Sequence, residues 1–374
     1  MAAPRIGWPQ ALGWRMVRQL LDPVTDASVE DVVRRLCGVQ AQVASAAELA
    51  VRLRQRSSSA GEVGAAVAAG RLIKTWAMRG TLHVLAPDEA GAFLSLLAAG
   101  RTWERPSWVR AFGLAPSDWN VVRPLVREAL ADGPLTREQL VAAVAARREL
   151  GAAAEAMRAS WGTVLKPLAW QGDLCYGPSD GNRVTFVRPE AASDGWRGVP
   201  PADVAAPIAI ARYLGAYGPA TPTGFANWLS RGWAPKRHVT AWFAATRHRL
   251  AEVEVDGQPT WVLAEHLDPL LAATPSDEVR LLGAFDQYVL GPGTDDTTVV
   301  PGARRSLVSR QAGWISPVVL SGGVVTGTWD LEQDVVQVEW FREGGPVRDR
   351  ALRAEVDRLG GLLGRELRIV SKLV

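Results

Sequence analysis

The chain has 374 residues, which is long for a single hydrophobic core and favours two or three domains. A hydrophobic fraction of 48% is typical of a globular protein and excludes the disordered and fibrous classes. The net charge is only +3, but the 42 basic residues include just four lysines, which leaves 38 arginines. Arginine suits phosphate binding through its planar fork, whereas a GC-rich genome also produces an arginine-rich composition, so both explanations stay open.

Several further classes are excluded by what the sequence lacks. No apolar run is long enough to span a membrane, and the segment Met1–Leu20 has no apolar core of a signal peptide. Cys37 and Cys175 are the only cysteines, and there is no CxxC, HExxH or phosphate-binding loop. We therefore expect a cytoplasmic monomer without a metal, a nucleotide or another cofactor.

The N-terminal part predicts a run of helices followed by a β-hairpin. The hairpin would pair Leu72 to Met78 with Thr81 to Leu85 and turn at Arg79-Gly80. The helices that precede it are predicted near 9–21, 28–37, 46–56 and 60–70.

The same order of elements recurs twice downstream. Gly133-Pro134 opens a helix in which Thr136 and Gln139 form a capping box, and Gly218-Pro219 opens another helix 85 positions later. The flanking helices are predicted near 117–131, 156–171, 203–217 and 235–249. Hairpins should follow at 173–176 with 183–187, and at 251–255 with 260–263 around Asp256-Gly257. Three helices and a hairpin are the winged helix-turn-helix plan.

The remaining segment is rich in β-branched residues. It predicts an antiparallel meander at 315–320, 323–329 and 334–341, then a helix at 347–363 and a short strand at 367–371. Between Gly291 and Gly313 we expect a long, mobile loop that is either a DNA-contacting arm or an ordinary solvated loop. The basic residues of this arm are Arg304, Arg305 and Arg310.

The predicted fold is therefore α+β. It consists of three tandem winged helix-turn-helix units that form a concave surface, plus a C-terminal antiparallel β-rich domain. The boundaries are expected at 1–100, 101–199, 200–278 and 279–374.

A pair of glutamines is the most informative local feature. Gln40 and Gln42 stand two positions apart ahead of Ser45-Ala46-Ala47-Glu48, a capping box that predicts a helix beginning just after Ser45. In an extended connection, residues at i and i+2 point to the same side, so two amides would converge on one water or hydroxyl. The alternative is that the glutamines only cap backbone groups between two helices.

Three segments together resemble the AlkZ/YcaQ family of winged-helix DNA glycosylases. They are the Gln40-Ala41-Gln42 motif, the segment Thr75–Glu89 with its WAMRGTLH strand pair, and the segment Gly283–Gly291. Gln-x-Gln, rather than His-x-Gln, points to the AlkZ branch, although Ala41 is smaller than the bulky aliphatic expected there. The resemblance covers most of the chain.

The resemblance implies hydrolysis of the N-glycosidic bond of N7-alkylguanine adducts or interstrand crosslinks in duplex DNA. Gln40 and Gln42 would be the catalytic residues, since an N7-alkylated purine already carries positive charge and leaves without protonation, unlike the leaving group of an ordinary glycosidase. No lysine stands in a motif for Schiff-base chemistry, which favours a monofunctional glycosylase. The enzyme would serve either general repair or self-resistance to a DNA-alkylating metabolite.

Four residues near the first hairpin are further candidates for DNA contact. An alternating Arg79-x-Thr81-x-His83 would share one strand face, and Lys74 on the preceding strand would touch phosphate. A buried structural histidine and a solvated lysine are the alternatives, and the roles of Asp286 and Gln287 stay open. The rival function is a non-catalytic winged-helix transcriptional regulator, which would read sequence through its recognition helices.

Overall fold

The computed structural model describes residues 3–159 and 162–374. Its contacts divide the chain into two compact units, each built from separate stretches of sequence. The first unit comprises Met1–Gly64, Ile210–Trp228 and Ala244–Val374. The second unit comprises Ala65–Ala209 and Leu229–Phe243.

The predicted helices are present with shifted ends, except that the helix expected at 156–171 is divided into two; its positions 160 and 161 lie outside the described residues. Two helices between the first hairpin and position 117 were not predicted. The α-helices are Trp8–Arg18, Val29–Arg35, Ala44–Arg52, Glu62–Ala68, Pro87–Ala98, Pro106–Phe112, Trp119–Ala129, Arg137–Ala145, Gly151–Ala159, Leu165–Trp170, Pro189–Ala192, Ala202–Tyr217, Pro222–Ser230, Lys236–Thr246, Leu267–Leu271, Gln287–Leu290, Arg305–Val308 and Asp349–Leu363. No helix in the described part of the chain is long and apolar enough to cross a membrane.

Local sequence signals account for several element boundaries. The capping box before the helix Arg137–Ala145 is confirmed: the Thr136 backbone N donates to Gln139 Oε1 at 2.8 Å, and the Gln139 backbone N donates to Thr136 Oγ1 at 3.3 Å. The hairpin turn at Asp256-Gly257 is also confirmed. Both residues have positive φ, +44° and +82°, as a two-residue hairpin turn requires.

The first unit contains two sheets. A three-stranded sheet pairs Arg5–Ile6 in parallel with Leu250–Val255, which pairs antiparallel with Gln258–Leu263. A five-stranded sheet forms the C-terminal part, with the strand order Val279–Leu282, Val318–Ser321, Val324–Glu332, Val335–Trp340 and Arg368–Leu373. The α+β class and the antiparallel-rich C-terminal sheet are thereby confirmed, whereas the winged-helix division and the concave surface stay predictions.

One strand pair of the C-terminal sheet departs from the antiparallel pattern. Arg368–Leu373 runs parallel to Val335–Trp340 because the helix Asp349–Leu363 carries the chain back across the sheet. That helix is fixed by Glu355, which is 2% exposed and accepts a hydrogen bond from the Leu281 backbone N at 2.9 Å. The sheet's core also includes N-terminal side chains, among them Leu12, Met16, Leu21 and Leu53.

The second unit contains an antiparallel set of short strands. It includes the predicted first hairpin, in which Ile73 pairs with Leu85 and Trp76 with Leu82. The strands follow the order Leu82–Leu85, Ile73–Trp76, Cys175–Tyr176, Thr185–Val187 and Leu135–Thr136. The predicted second hairpin is therefore also present, with Cys175 opposite Val187.

Candidate active site

The glutamine segment emerges from a helix that ends in a Schellman turn. After the helix Val29–Arg35, the Cys37 backbone N donates to Arg34 O at 3.1 Å and the Gly38 backbone N donates to Val33 O at 2.9 Å. Cys37 and Gly38 have φ values of +58° and +94°, and the second favours glycine. These two residues with positive φ end the helix, and the chain continues into the short strand Val39–Gln40.

The carbonyl at the end of this helix is held from another part of the first unit. Tyr217 Oη donates to the Leu36 carbonyl at 2.8 Å, and both groups are buried. One of the carbonyls that a helix C-terminus leaves without a partner is thus satisfied. The turn that leads to Gln40 is therefore anchored by a side chain as well as by backbone hydrogen bonds.

The two glutamines lie in the connection ahead of a helix, as predicted, but only Gln40 is in a strand while Gln42 lies in a bend, and their environments differ. Gln40 ends the short strand Val39–Gln40 and is 6% exposed, while Gln42 is exposed and Ala41 between them is buried. Each amide offers an oxygen acceptor and two N–H donors. The Gln40 side chain is therefore largely buried, whereas the Gln42 side chain is at the surface.

The capping box predicted at Ser45 is wrong. The next helix, Ala44–Arg52, begins two residues earlier than predicted, and its N-cap Val43 has no side chain able to cap it. Glu48 cannot reach back to Ser45 because its carboxylate accepts hydrogen bonds from Gly64 N at 2.9 Å and Val63 N at 3.2 Å. Glu48 thus caps the following helix instead.

This correction places Gln42 directly before an uncapped helix N-terminus. The residues that begin the helix Ala44–Arg52 follow the extended Val43, whose φ and ψ are −111° and 112°. The first N–H groups of a helix have no partner within it, and the end carries partial positive charge. Such an end is suited to a phosphate or another anion.

The far end of the same helix is tied to a buried ion pair. Arg54 and Asp286 are fully buried, and both guanidinium–carboxylate contacts are 2.8 Å. Arg54 also donates to Ala50 O at 2.7 Å and to Gln19 O at 2.9 Å, while Asp286 accepts from the Tyr288 backbone N at 2.8 Å. Asp286 therefore fixes the framework behind the glutamine segment.

Gln287 lies beside this ion pair in sequence but makes different contacts. Its side chain is fully buried, and within residues 3–159 and 162–374 neither Oε1 nor Nε2 has a hydrogen-bond partner. A buried amide of this kind is commonly satisfied by ordered water. Gln287 is thus an interior residue rather than one exposed to a DNA surface.

The predicted strand face Arg79-x-Thr81-x-His83 does not form. Arg79 lies in the tight turn Met78–Gly80 with φ of +59°, and the strand begins only at Leu82. Side chains alternate between the two faces only within a strand, and Arg79 is in a turn, so Arg79 and His83 do not share a strand face. Thr81 is half-buried, and its Oγ1 donates to the Met78 carbonyl at 3.1 Å.

His83 is a buried neutral imidazole. It is 0% exposed and its Nδ1 lies 3.0 Å from the Thr81 carbonyl, which makes Nδ1 the protonated nitrogen. Burial, with a smaller contribution from the nearby Arg79, lowers the pKa of His83 to about 3. Among the described residues, its Nε2 and the facing Thr75 Oγ1 both lack hydrogen-bond partners.

Lys74 and two arginines of the predicted arm, Arg304 and Arg305, are more constrained than solvated surface residues. Lys74 Nζ lies 5.5 Å from the centroid of the Tyr176 ring, and burial lowers the pKa of the lysine. Arg304 Nη2 is 3.0 Å from Glu343 Oε2, and Arg305 Nε donates to Thr294 O at 3.2 Å. Arg310 is exposed.

The segment that carries these arginines is not a long, free loop. It contains the helix Arg305–Val308, and Val299, Val300 and Val308 are buried in the C-terminal core. The apolar side chains anchor the segment because their burial offsets the cost of ordering it. The expectation of a mobile loop from Gly291 to Gly313 is therefore wrong.

Comparison with known proteins decides the class to which this arrangement belongs. The family model described as "DNA glycosylase AlkZ-like" matches residues 33–362. The chain belongs to the AlkZ-like family of DNA glycosylases. It is therefore an enzyme that hydrolyses an N-glycosidic bond, and its substrate is DNA.

A relative in Streptomyces sahachiroi supports the same assignment. The chain is 45% identical over 370 residues to a protein named "Interstrand DNA cross-link repair glycosylase", covering 98% of this chain and all of the relative. The solved structure of Streptomyces sahachiroi DNA glycosylase AlkZ matches with a TM-score of 0.95 and 44% identity over 99% of this chain and all of that one. The resemblance inferred from three sequence segments thus extends over the whole fold.

One buried ion pair in this DNA glycosylase had no sequence signal. Arg54 was not predicted as the partner of Asp286, because the two residues are 232 positions apart. Within the described ranges, no group of three or more His, Cys, Asp or Glu side chains could hold a metal ion.

Proposed function

We propose that this enzyme excises bulky N7-alkylguanine adducts or interstrand crosslinks from duplex DNA. The relative named as an interstrand crosslink repair glycosylase supports this choice, since it aligns with 98% of the chain. The observation that carries the proposal is the Gln40-Ala41-Gln42 segment, which begins in the short strand Val39–Gln40 and precedes an uncapped helix N-terminus. Gln40 and Gln42 are the proposed catalytic residues.

The chemistry of an N7-alkylated guanine suits a site made of neutral amides. The C1′–N9 bond breaks with its electron pair moving to N9, which neutralises the positive charge of the purine. A water oxygen then bonds to C1′, and its proton is released to solvent. The products are the neutral alkylated base and an abasic site, so no acid is needed for the leaving group.

The two amides would act on the attacking water and on the developing sugar cation. Gln40, held in place by the anchored turn, would orient the water with its side-chain oxygen. Gln42, exposed at the surface, would meet the sugar of the bound strand. Positioning of this type is commonly worth several kcal/mol of barrier, and removing one preorganised group commonly costs about 2.7–4 kcal/mol.

The helix N-terminus beside Gln42 has a complementary role in this proposal. Its N–H groups would bind the phosphate next to the damaged nucleotide, which fixes the register of the sugar against the glutamines. Lys74, Arg79, Thr81, His83, Arg304, Arg305 and Arg310 remain proposed DNA-binding residues. His83 is buried and would act by supporting the strand pair rather than by touching DNA, and Arg304 would have to exchange its contact with Glu343 for a phosphate.

The proposed enzyme acts as a monofunctional glycosylase. A lysine nucleophile would form a Schiff base with C1′ and lead to strand cleavage. Burial lowers the pKa of Lys74 and Lys166, and the nearby Arg231 contributes to the shift of Lys166, so both lysines are worth testing directly. Borohydride trapping should yield no covalent protein–DNA complex.

The substrate also determines the proposed architecture. A base that is tied to the opposite strand cannot rotate freely into a closed pocket, as it does in most base-flipping enzymes. Three winged helices at 1–100, 101–199 and 200–278 would offer an open concave surface instead, with the β-rich domain at 279–374 beside them. The protein would work as a monomer in the cytoplasm, without a cofactor.

An excision assay tests the proposed function. Purified protein is incubated with duplex DNA carrying one N7-alkylguanine, and in parallel with DNA carrying an N7-linked interstrand crosslink. Abasic sites are then revealed by alkali cleavage. Excision of either lesion, with undamaged duplex left intact, is the expected result, and no abasic sites in either duplex would contradict the proposal.

A further inference from the structure

One buried tyrosine contacts both the turn before Gln40 and the end of a short helix from the C-terminal part of the chain. Tyr217 is 1% exposed, and its Oη donates a hydrogen bond to the carbonyl of Leu36 at 2.8 Å. Gly291, which follows the helix Gln287–Leu290, lies against the Tyr217 ring. All of these residues belong to the first unit.

The contact with the tyrosine ring requires a glycine at position 291. A Cβ placed on Gly291 would lie 2.6 Å from Cζ of Tyr217 and closer still to its Cε1 and Cδ1. Atoms in a close-packed interior do not approach each other this closely, so any side chain at this position would push the ring aside. Gly291 has φ of −64°, which every residue type tolerates, so the requirement is for space rather than for backbone conformation.

Other aromatic side chains hold the tyrosine ring in this position. The ring centroid of Tyr217 is 5.3 Å from that of Tyr213 and 6.3 Å from that of Trp228, and all three side chains are buried. Because interiors are packed without spare volume, the ring cannot shift unless its neighbours also move. The direction in which the Tyr217 hydroxyl points is therefore set by packing.

Gly291 is itself connected to the buried ion pair. Its backbone N donates to the Gln287 carbonyl at 2.8 Å, and the side chain of Asp286 caps the short helix that begins at Gln287. Asp286 pairs with Arg54, which also donates to the Ala50 carbonyl at 2.7 Å, in the helix that follows the glutamine segment. The same short helix is thus linked to the turn that precedes the glutamines and to the helix that follows them.

The turn that Tyr217 contacts is unfavourable on its own. Cys37 comes directly after Leu36 and has φ of +58°, a region that residues with a Cβ seldom occupy. Such a conformation persists only where the surrounding structure holds it. Rotation of the Cys37 backbone into a common region would redirect the chain just before Gln40. The hydrogen bond to the Leu36 carbonyl therefore helps to determine where the Gln40 amide lies.

We propose that Tyr217 and Gly291 are positioning residues for base excision. Tyr217 holds the turn that places Gln40, and Gly291 leaves the space that the Tyr217 ring occupies. The proposal rests on the catalytic role proposed above for Gln40 and adds two buried residues to that site. Both act through the position of the Gln40 amide, and a misplacement of about 1 Å can cost a factor of about 100 in rate.

A purely structural role for Tyr217 is the alternative. A buried hydroxyl that donates to a backbone carbonyl stabilises the fold wherever it occurs. If Tyr217 did no more than this, its removal would lower the melting temperature and leave the excision rate of folded protein unchanged. Thr260 provides a matched control: it is buried in the first unit, and its Oγ1 donates to the Val253 carbonyl at 2.7 Å.

The test compares Tyr217→Phe with Thr260→Val in single-turnover excision over a range of protein concentrations. Each change removes one hydroxyl and keeps the shape of the side chain, so both should lower the melting temperature by a similar amount. Tyr217→Phe should reduce the maximal rate by about 10–100-fold and leave the half-saturating protein concentration unchanged. Thr260→Val should excise at the wild-type rate. A Tyr217→Phe protein as fast as Thr260→Val would overturn the proposal.

Gly291→Ala tests the second residue, with Gly327→Ala as its control. A Cβ on Gly327 would lie 2.6 Å from the Glu339 carbonyl in the C-terminal sheet, which is a comparable clash with a different partner. Gly291→Ala should slow excision as Tyr217→Phe does, whereas Gly327→Ala should only lower the melting temperature. The double variant Gly291→Ala/Tyr217→Phe should be no slower than Gly291→Ala, because the displaced ring has already lost its bond to Leu36. Losses that multiply would overturn the role of Gly291, and Tyr217→Phe carries the test if Gly291→Ala does not fold.

Hydrogen exchange separates this proposal from the proposed function. The backbone N–H groups of Cys37 and Gly38 close the turn, and their exchange should become about two- to tenfold faster in Tyr217→Phe and stay unchanged in Thr260→Val. Wild-type protein that excises neither lesion would contradict the proposed substrate, while faster exchange in Tyr217→Phe would still support its hold on the turn. Unchanged exchange in Tyr217→Phe, or wild-type excision that Tyr217→Phe retains in full, would overturn the positioning role and leave the proposed function standing.

Discussion

Replacing Gln42 with Ala should slow base excision strongly while leaving the fold intact. Gln42 is exposed and precedes the N-cap residue of its helix, so the change in the free energy of unfolding should stay within about 0.5 kcal/mol. If Gln42 stabilises the transition state, its loss should cost about 2.7–4 kcal/mol of barrier, or about 10²–10³ in rate. The two effects therefore differ by a wide margin.

Gln40→Ala should affect both quantities, for a reason visible in its burial. Gln40 is 6% exposed, and Ala removes its buried Cγ methylene together with the amide, so loss of the methylene alone would cost about 0.8 kcal/mol of stability. Excision should still fall by a factor similar to that for Gln42→Ala. The double variant should lose less than the product of the two single losses, because both amides act on one reacting centre.

Single-turnover excision, with protein in excess, isolates the chemical step from DNA binding. Thermal melting and DNA affinity are measured on the same samples, and Gln258→Ala, another exposed glutamine of the first unit, is the control. Gln42→Ala protein that is folded and excises at the wild-type rate would refute the catalytic role. A stability loss of about 0.5–2 kcal/mol without a rate change would indicate a capping role instead.

Three further outcomes are expected. Excision should persist in chelator and give no borohydride-trapped complex; activity lost with chelator and restored by one divalent ion would refute the amide mechanism. Arg54→Met should lower the free energy of unfolding by about 3–5 kcal/mol, because the buried Asp286 loses its partner. Adding Asp286→Asn should recover part of that loss, as measured by denaturant titration. No recovery in the double variant would contradict the ion-pair account. The pKa of His83 is about 3 in the folded protein and about 6.5 in the unfolded protein, so between these values the unfolded state binds one more proton than the folded state. The free energy of unfolding should therefore fall as pH is lowered from 6.5 towards 3, by at most about 1.4 kcal/mol per pH unit. His83→Asn, which can keep a donor to the Thr81 carbonyl, should flatten this dependence, and an unchanged slope between pH 6.5 and pH 4 would show that His83 is not its source.

The sequence by itself determined features that depend on neighbouring residues. The capping box at Thr136 and the turn at Asp256-Gly257 formed as predicted, because both depend on contacts within a few positions. The strand position of Gln40 and the strands of the first hairpin followed in the same way. Motifs in three short segments were also enough to indicate the glycosylase family.

Local patterns misled where a distant group competed for the same side chain. Ser45 and Glu48 have the spacing of a capping box, but the Glu48 carboxylate is bound to the backbone N–H groups of Val63 and Gly64. Strand alternation failed at Arg79 for a different reason, since a tight turn occupies its position. In each case the local sequence pattern was compatible with the predicted structure, but a hydrogen bond to a distant residue or a tight turn produced a different conformation.

Tertiary structure alone decided which distant residues meet. The pairing of Arg54 with Asp286 joins two residues that are 232 positions apart in the chain. Burial likewise made His83 a neutral interior imidazole and anchored the segment that carries Arg304 and Arg305. These outcomes depend on desolvation and on long-range packing, and neither quantity is defined until the chain has folded.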